Sequence, residues 1–595
     1  MPNIVVVGGG LAGLMTAIKA AEAGFKVDLI SLVPVKRSHS VCAQGGINGA
    51  VNTKGEGDSP WQHFDDTVYG GDFLGDQPLI KGMCEAAPGI IYLLDRMGVP
   101  FNRTPEGLID FRRFGGTLHH RTAFSGASTG QQLLYALDEQ VRRFEVAGLV
   151  TKYEGWDFTS LILHEGRVAG CTAQNLHTME FKAFKSDVVV MATGGNGMIF
   201  GKSTNSVINT GSAAAICYMQ GAKYANGEFI QVHPTAIPGD DKLRLMSESI
   251  RGEGGRVWTY KDGKPWYFLE EKYPKYGNLV PRDVATREIF DVCVNQGLGV
   301  DGKNQVYLDI SHIPAEVAHR KLGAVLDIYK KFIGDDPTKV PMKIFPGMHY
   351  TMGGLWVGYD KRKVGQYDEL DTSSPRTHMS NIPGLYAVGE ASHQYHGANR
   401  LGANSLVSCI YEGMICGPAT VKYVKGLDGT HAAELPESVF EAAVKEQQEK
   451  YSAILRMDGP ENPYSLADEL GKWMTDNVTV VRYNDKLEAT LKKITELKER
   501  FRKIGVPDTG SHSNQPAVFT RWLDGMLVLA EVITKGALLR DESRGAHYKP
   551  DFPERDDDRF MKTTIATHTA KGPEITYEGV DVTHITPRKR DYTKK

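Results

Sequence analysis

A His between two Ser residues, followed by a glycine-rich stretch, is the first feature of the sequence that could do chemistry. Residues 36–50 read KRSHSVCAQGGINGA, with His39 near the start. Gly and Ser let a backbone approach a ligand closely, and an imidazole can donate, accept or form a covalent bond. The residue types alone leave two interpretations of His39 open: a hydrogen-bonding loop residue, or the attachment point of a covalent cofactor.

Four further motifs carry cations and donors that could hold both ends of a small dicarboxylate. His233 lies in QVHPT, His349 in GMHYTMGG, and Arg400 in HGANRLGANS, where Gly and Asn suggest a close, fixed loop. Ser247 precedes Glu248 in MSESIRGEGG. Each has an ordinary alternative, because buried histidines are commonly satisfied core residues and surface arginines are commonly solvated.

The elements that must position these residues begin with a nucleotide-binding pattern. NIVVVGGGLAGLMTAIKAAEAGFKVDLIS predicts a strand over Ile4–Val7, then Gly8-x-Gly10-x-x-Gly13, a helix, and a second strand over Lys26–Ile30. Gly8 would make the tight turn, Gly10 would let a pyrophosphate approach the helix N-terminus, and Gly13 would let the helix pack on the strand. The alternative is a glycine-rich turn without a ligand.

The second strand ends in Ser31, where an NAD-binding protein would place an acid, so the pattern favours a flavin nucleotide. Strands in DVVVMATGGNG and IPGLYAVGEAS end at Thr193-Gly194-Gly195 and at Gly389-Glu390. They predict two more close approaches to the same ligand, which suits the extended molecule FAD. The loop of His39 lies just beyond the second strand and would reach the isoalloxazine ring.

The stretch SHSVCAQGG resembles a segment of the flavoprotein subunits of succinate dehydrogenases and fumarate reductases. The resemblance continues in order through GEFIQVHPTAIPG, SESIRGEGG, PRDVATREI, HYTMGGLW and HGANRLGANSL, over nearly the whole chain. It implies reversible oxidation of succinate to fumarate by hydride transfer to FAD that is covalently bound to His39. A covalent link that raises the flavin potential would help, because ~30 mV corresponds to ~1.4 kcal/mol for a two-electron couple. The other FAD contacts that the resemblance implies are Ser31, Arg37, Ser38, Ser40, Gln44, Gly45, Gly46, Ala192, Thr193, Gly194, Glu390, Ser405 and Leu406.

The resemblance also assigns the substrate and proton-transfer residues. It implies proton transfer by Arg287 in RDVATR, supported by Glu248 and Arg251. An arginine, with a pKa above ~12, could act only as a transient shuttle held by neighbouring charge. Glu248 and Arg251 stand three residues apart and would share a helical face; the alternative is a surface ion pair worth under ~1 kcal/mol. The residues implied around the substrate are His233, Ser247, His349 and Arg400, with Phe114 of RRFGG packed beside it.

Two positions depart from relatives or vary among them. Ser212, in INTGSAAA, stands where many relatives carry an Asp, so a ribose contact there is not supported. Gln44 stands where several fumarate reductases carry Glu, which favours succinate oxidation.

The order of these motifs predicts an α/β fold, α+β overall, with a discontinuous Rossmann-like FAD-binding domain over 1–232 and 346–435. The intervening block, 233–345, is predicted to be an inserted capping domain that closes over the flavin as a unit and excludes water. Residues 436–540 predict a helical bundle, most clearly in DKLEATLKKITELKERFRKI, where apolar residues recur at steps of three and four. Residues 541–595 are predicted to form an extended segment laid over other surfaces.

Composition excludes several classes. The 595 residues predict two to four domains, and a net charge of −3 gives no electrostatic case for nucleic acid binding. The seven Cys are scattered without a CxxC pair, which argues against a disulfide framework, a metal site or an iron–sulfur cluster within the chain. The first strand starts at once, leaving no room for a signal peptide, and no stretch of about 18 apolar residues predicts a membrane span.

A reduced flavin needs an electron acceptor, and the sequence has no cluster or haem ligands. The resemblance implies an iron–sulfur subunit and a membrane anchor of the cytochrome b type that reacts with quinone. The chain would then lie peripherally on the cytoplasmic face of the inner or plasma membrane. The alternatives are a fumarate reductase running mainly in reverse, a soluble relative such as aspartate oxidase, or an inactive flavin-binding scaffold. His39 argues against the soluble types, and Arg287 with Glu248 argues against the scaffold.

Overall fold

The computed structural model describes residues 3–240 and 242–593. The α-helices in these residues are α1 Leu11–Glu22, α2 Pro60–Gly70, α3 Gln77–Arg96, α4 Thr129–Val146, α5 Ser212–Met219, α6 Ser249–Gly252, α7 Phe268–Lys272, α8 Arg282–Phe290, α9 Ala315–Ile333, α10 Asn404–Lys425, α11 Glu437–Leu455, α12 Pro463–Val478, α13 Asn484–Phe501, α14 Gln515–Leu539 and α15 Asp557–Phe560. The strands are β1 Asn3–Val7, β2 Lys26–Ser31, β3 Ile47–Asn48, β4 Phe111–Arg112, β5 Thr122–Ala123, β6 Val150–Glu154, β7 Trp156–His164, β8 Arg167–Asn175, β9 Phe181–Lys185, β10 Val188–Met191, β11 Tyr224–Ala225, β12 Ile230–Ile237, β13 Arg244–Leu245, β14 Arg256–Lys261, β15 Lys264–Trp266, β16 Val306–Asp309, β17 Met342–Thr351, β18 Gly354–Leu355, β19 Lys361–Val364, β20 Tyr367–Leu370, β21 Leu385–Ala387, β22 Lys562–Thr569 and β23 Gly572–Gly579.

A parallel five-stranded sheet, in the order β21-β10-β1-β2-β6, carries the predicted nucleotide motifs. Its central strands are valine-rich and buried on both faces, as parallel strands covered by helices must be. Gly8 has φ +120°, and a Cβ on Gly13 would lie 1.9 Å from the Gly8 carbonyl oxygen. The turn between β1 and α1 therefore requires both glycines, and the predicted Rossmann-like arrangement is confirmed.

A second sheet, in the order β13-β12-β17-β16-β14-β15, faces the carboxyl edge of the first and has antiparallel pairs throughout. With α8 and α9 it forms its own hydrophobic cluster. Strands β12 and β17 continue through positions 233 and 345, where the sequence predicts the limits of the capping domain. Those exact limits stay a prediction, because the same two strands connect both parts.

The C-terminal part contains the predicted helical bundle and one element that the sequence pattern did not indicate. Helices α11 to α14 supply the bundle, with Leu487, Ile494 and Leu497 buried in its core. Residues 541–593 do not remain extended throughout: β22 and β23 form a hairpin, and β22 pairs with β11. The hairpin turns at residues 570–571, and Gly572, the first residue of β23, has φ +98°. Among the described residues, no helix has the length and apolar character needed to cross a membrane.

Candidate active site

A cavity of about 360 Å³ lies along the carboxyl edge of the parallel sheet and is closed on its other side by the second sheet. The ends of β1, β2, β10 and β21 supply one wall, and Lys242–Leu245 together with Arg282 and Phe332 supply another. Parallel strands bring their carboxyl ends to one edge, which is why distant motifs meet here. The predicted residues that line the cavity are Gly8, Gly10, Ser31, Ser38, His39, Ser40, Gln44, Gly45, Gly46, Phe114, Ala192, Thr193, Gly194, His349, Glu390, Arg400, Ser405 and Leu406.

The part of the cavity along the sheet edge fits an extended nucleotide. Leu11 begins α1 with its backbone N–H 3.3 Å from Ser40 Oγ, and Gly10 leaves the helix N-terminus open to a ligand. Two cavity residues, Gln44 and Asn209, each have a buried amide atom without a hydrogen-bond partner. Unpaired buried polar atoms are costly, so they indicate that a polar ligand belongs here.

His39 is held at this cavity by two neighbouring residues. The backbone N–H of Ser206 donates to His39 Nδ1 at 3.2 Å, and the Asn205 amide lies 3.1 Å from Nε2. The Asn205 amide nitrogen is also a donor, and a neutral ring has only one accepting nitrogen, so the two contacts cannot both be full hydrogen bonds. Burial, assisted by the charge of Lys242, lowers the pKa of His39 to about 4. The imidazole is therefore neutral at physiological pH, which is the form that can act as a nucleophile.

His233 and His349 form a pair deeper in the site, with ring centres 4.9 Å apart. Thr204 Oγ1 lies 2.7 Å from His349 Nδ1, and the Thr235 N–H donates to His233 Nδ1 at 3.2 Å. His233 does not line the cavity itself, yet its Nε2 is buried without a partner. Burial, then the charge of a nearby arginine, lowers the pKa of both rings well below the ordinary value. Both rings are therefore neutral, and His233, whose Nδ1 accepts from Thr235, carries its proton on the unpaired Nε2.

Arg400 lies in its predicted loop and is almost fully buried. Its Nη1 donates to Ser405 Oγ at 3.2 Å, its Cζ lies 4.4 Å from the centre of the Tyr350 ring, and its Nε has no partner. Burial, then repulsion from Arg282, lowers the pKa of the guanidinium to about 9. Arg400 and Arg282 are both buried and both line the cavity, and a pair of cations there suits an anionic ligand.

A buried chain of three charged groups stands behind the cavity. Glu248 accepts from Arg251 Nη2 at 2.7 Å through Oε1, and its Oε2 lies 2.7 Å from Arg282 Nη2. The Arg282 Nε also donates to Oε2, at 2.9 Å. Burial favours the neutral carboxyl, but Arg282 and Arg251 hold the pKa of Glu248 below its usual range. This is a connected path for a proton, with Glu248 in the centre, and not a surface ion pair.

The structure contradicts the assignment of Arg287 to this chain. Arg287 donates to the Gly545 carbonyl at 2.7 Å and pairs with Asp283 at 3.3 Å, and its side chain is 30% exposed. It does not line the main cavity. Both arginines of RDVATR lie on α8, five residues apart, so they project about 140° apart around the helix axis. Only Arg282 faces Glu248, and the Arg287 prediction is wrong on this geometry.

Among the other predicted residues, Gly13, Arg37 and Ser247 are not at the cavity wall. Arg37 is exposed, and Ser247 is buried with its Oγ 2.8 Å from Ser249 Oγ.

The structure also adds Gln231, which accepts from Arg282 Nη1 at 3.0 Å and donates to the Arg400 carbonyl at 2.6 Å. Gln231 precedes His233 by two residues on β12, and side chains at that spacing share a face of a strand. That spacing was the available signal for Gln231.

Two hydrogen-bonding features complete the site. Glu390 accepts from the Thr351 N–H at 3.0 Å, and burial raises its pKa to about 7. Gln44 donates to the Leu245 carbonyl at 3.3 Å, which links the His39 loop to the second sheet. Within residues 3–240 and 242–593, no cluster of three or more His, Cys, Asp or Glu is arranged to hold a metal ion.

Comparisons with known proteins agree with this geometry. Residues 3–406 match the FAD binding domain family, and residues 467–592 match the fumarate reductase flavoprotein C-terminal family. The chain is 68% identical to the succinate dehydrogenase flavoprotein subunit of Bacillus subtilis (strain 168), over 100% of this chain and 99% of that protein. It is 33% identical to the fumarate reductase flavoprotein subunit of Escherichia coli (strain K12), over 99% and 96% respectively.

Solved structures show the same fold along the whole chain. An E. coli quinol fumarate reductase chain matches with a TM-score of 0.90 at 32% identity, covering 100% of this chain and 99% of that one. Mycobacterium smegmatis Sdh1, solved in complex with UQ1, matches with a TM-score of 0.82 at 30% identity, covering 99% and 95%. The chain therefore belongs to the FAD-binding flavoprotein subunits of the succinate dehydrogenase and fumarate reductase family.

Proposed function

We propose that this chain is the catalytic subunit of a succinate:quinone oxidoreductase and converts succinate to fumarate reversibly. One observation supports it above the others: Arg400, Arg282 and His349 line a nucleotide cavity and His233 packs against His349, with unpaired nitrogens on Arg400 and His233. A dicarboxylate has two anionic ends that need such cations and donors. The name of the 68% identical relative points to the same reaction.

The substrate would lie between the arginine pair and the histidine pair. Arg400 would clamp one carboxylate, as a planar guanidinium suits a carboxylate. His349 and His233 would donate to the other carboxylate, and Phe114 would exclude water beside it. Ser247 supports the loop from behind and not by direct contact, because its hydroxyl pairs with Ser249. Bound FAD would supply the hydride acceptor in this cavity.

Arg282 is the proton carrier of the reaction in this proposal. When a hydride leaves one methylene carbon of succinate, Arg282 gives one of its own protons to Glu248 Oε2, at 2.7 Å, and takes up the proton released from the next carbon. The guanidinium so ends with the charge it had at the start, and Arg251 stays paired with Oε1. Glu248 is held ionised by its two arginines and is ready to accept a proton. The same residues would run in reverse when fumarate is reduced.

FAD is expected to be bound covalently through His39. The neutral, hydrogen-bonded imidazole at the end of the nucleotide cavity supports this assignment. After acid denaturation and electrophoresis, yellow fluorescence should remain with the chain. His39→Ser should keep FAD bound but lose succinate oxidation more than fumarate reduction, since an unlinked flavin is the weaker oxidant. His319→Ser, at an exposed position on α9, is the control. Complete loss of fluorescence from the parent chain would disprove the link.

A fumarate reductase working mainly in reverse is the second candidate, supported by the 33% identical relative. The site would be the same, because it is reversible. Gln44, at the wall of the cavity, favours succinate oxidation. In both cases residues 233–345 would close over the substrate as a unit and keep water out.

Electrons are expected to leave through partner subunits. We infer an iron–sulfur subunit and a cytochrome b type membrane anchor, with this chain peripheral on the cytoplasmic face of the membrane. The preparation extracted from membranes should contain these subunits and reduce quinone with succinate, and malonate should inhibit it. The chain alone should reduce an artificial dye but not quinone. A preparation that sediments as this chain alone and yet reduces quinone at the full rate would contradict the proposal, and failure to oxidise succinate would refute the activity.

A further inference from the structure

The segment 588–593 crosses from the FAD-binding part of the chain to the second sheet. Tyr592 is buried, and its ring lies 5.5 Å from that of Tyr69 on α2 and 5.1 Å from that of Tyr276. It packs with the hydrophobic cluster of the second sheet. The backbone N–H of Asp591 donates to the Tyr69 hydroxyl at 2.6 Å. Both parts of the molecule therefore hold this segment.

Arg590 lies between two buried carboxylates that come from different parts of the chain. Its Nη2 donates to both oxygens of Asp283, at 3.1 and 2.9 Å, and its Nη1 lies 3.4 Å from Asp72 Oδ2. Asp283 belongs to α8, whereas Asp72 lies in the loop between α2 and α3. The side chains of Arg590 and Asp72 are each 9% exposed and that of Asp283 is 1% exposed. Screening by water is therefore weak here.

Asp283 directly follows Arg282 in the first turn of α8. Successive residues project about 100° apart around a helix, so holding Asp283 on one side sets where Arg282 points on the other. One nitrogen of Arg590 contacts both oxygens of Asp283 and the other reaches Asp72, so a rigid, planar guanidinium spans the two carboxylates and restricts the rotation of α8. The separations of 2.7 and 2.9 Å between Arg282 and Glu248 depend on that rotation.

Loss of Arg590 would act on α8 as a whole. Asp283 would keep its contact with Arg287 at 3.3 Å, and Asp72 would keep Arg555 at 2.9 Å, so neither carboxylate would be left without a cation. No cation would then be shared by Asp283 and Asp72, and these two buried carboxylates would repel each other. The expected result is a shift of α8 away from the FAD-binding part, and not unfolding.

We propose that Arg590 is a positioning residue that clamps α8 to the Asp72 loop and thereby aligns Arg282 with Glu248 in the closed site. This inference rests on the proposed function for its activity readout. Tyr592 anchors the segment so that Arg590 is presented in one orientation. Arg590 does not line the cavity, and it acts through Asp283, with which it pairs.

The test compares Arg590→Gln, Arg590→Lys and Lys589→Gln in the complete complex loaded with FAD. Lys589 pairs with Glu554 at the surface, with side chains 79% and 74% exposed, and is the matched control. We expect Arg590→Gln to lower kcat about 10- to 100-fold with a much smaller change in KM, because misalignment affects the reacting geometry. Arg590→Lys keeps the charge but has one nitrogen in place of the two that reach Asp283 and Asp72. Its kcat should lie between those of Arg590→Gln and the parent. Lys589→Gln should match the parent.

Hydrogen exchange at residues 282–290, without substrate, separates this proposal from the proposed function. Exchange should increase in Arg590→Gln relative to Lys589→Gln, whatever dicarboxylate the enzyme uses. If Arg590→Gln does not accumulate, Arg590→Lys must show both a lower kcat and faster exchange. The clamp is refuted by unchanged exchange in these residues. It is also refuted if the Arg590 variants change KM and preserve kcat. A loss of activity that is fully explained by a lower FAD content would refute it too. If the parent fails to oxidise succinate, the proposed function fails while the exchange result still decides the clamp.

Discussion

Arg282→Gln is expected to abolish most turnover, by about 10²- to 10⁴-fold, while leaving dicarboxylate binding largely intact. That range is typical for removal of a positioned general acid or base. Glutamine keeps hydrogen-bonding capacity toward Glu248 but cannot carry the proton. Glu248 also retains Arg251 at 2.7 Å, so the buried carboxylate is not left unpaired. Steady-state succinate oxidation and malonate binding, measured on the same preparation, check both parts.

Arg287→Gln is the matched control, because it removes the same charge from the same helix. Its contacts are the Gly545 carbonyl and Asp283, with the side chain 30% exposed. Partly exposed ion pairs contribute little, so kcat should stay within about fivefold of the parent. An equal loss of kcat in the two variants would show that turnover depends on the total positive charge of α8 and not on Arg282 as a specific proton carrier. A larger loss for Arg287→Gln would restore the assignment made from the sequence.

Arg400→Ala should weaken dicarboxylate binding by about 2 to 5 kcal/mol, because one carboxylate would be left buried without its cation. This corresponds to about a 30- to 4000-fold rise in Kd. Malonate titration followed by flavin absorbance measures it without turnover. Arg376→Ala is the control, since that arginine is 62% exposed and pairs only loosely with Asp360 at 3.4 Å. Binding as tight as in the parent would remove Arg400 from the substrate site.

Removal of Arg400 and removal of Arg282 should also affect different kinetic parameters. A clamp that holds substrate and transition state alike affects KM more than kcat, whereas a proton carrier affects kcat. Arg400 fits the first role, because it contacts Ser405 and Tyr350 and leads to no second acid. Arg282 fits the second, because Glu248 and Arg251 continue the path away from the cavity.

The nucleotide half of the site could be predicted because its signals are local. Gly8, Gly10 and Gly13 have roles that depend on the adjacent strand and helix, and the structure has both. The strand ends at Thr193 and Glu390 could likewise be placed together, because parallel strands of one sheet share an edge. Glycine positions and strand periodicity indicate the backbone conformation, and backbone groups form most of the wall in this half of the cavity.

The proton path could be predicted only in part. Glu248 and Arg251 share a helical face, which their spacing indicates, and they do form an ion pair. The choice between Arg282 and Arg287 could not be read from RDVATR, because both are arginines on one helix and the sequence does not say which face meets Glu248. The hairpin of β22 and β23 was missed for a similar reason: β22 pairs with β11, more than 300 residues away in the sequence.

The sequence by itself determined the fold class, the cofactor class and the place of the His39 loop just beyond the second strand. These follow from local patterns of glycine, apolar periodicity and motif order. Only the tertiary structure decided which arginine of α8 faces the site, that Gln231 joins Arg282 to Arg400, and that Arg590 joins Asp283 to Asp72. Such contacts bring together side chains from distant segments, so helix rotation and strand pairing decide them. A charged residue in a linear motif has no preferred partner until packing selects one.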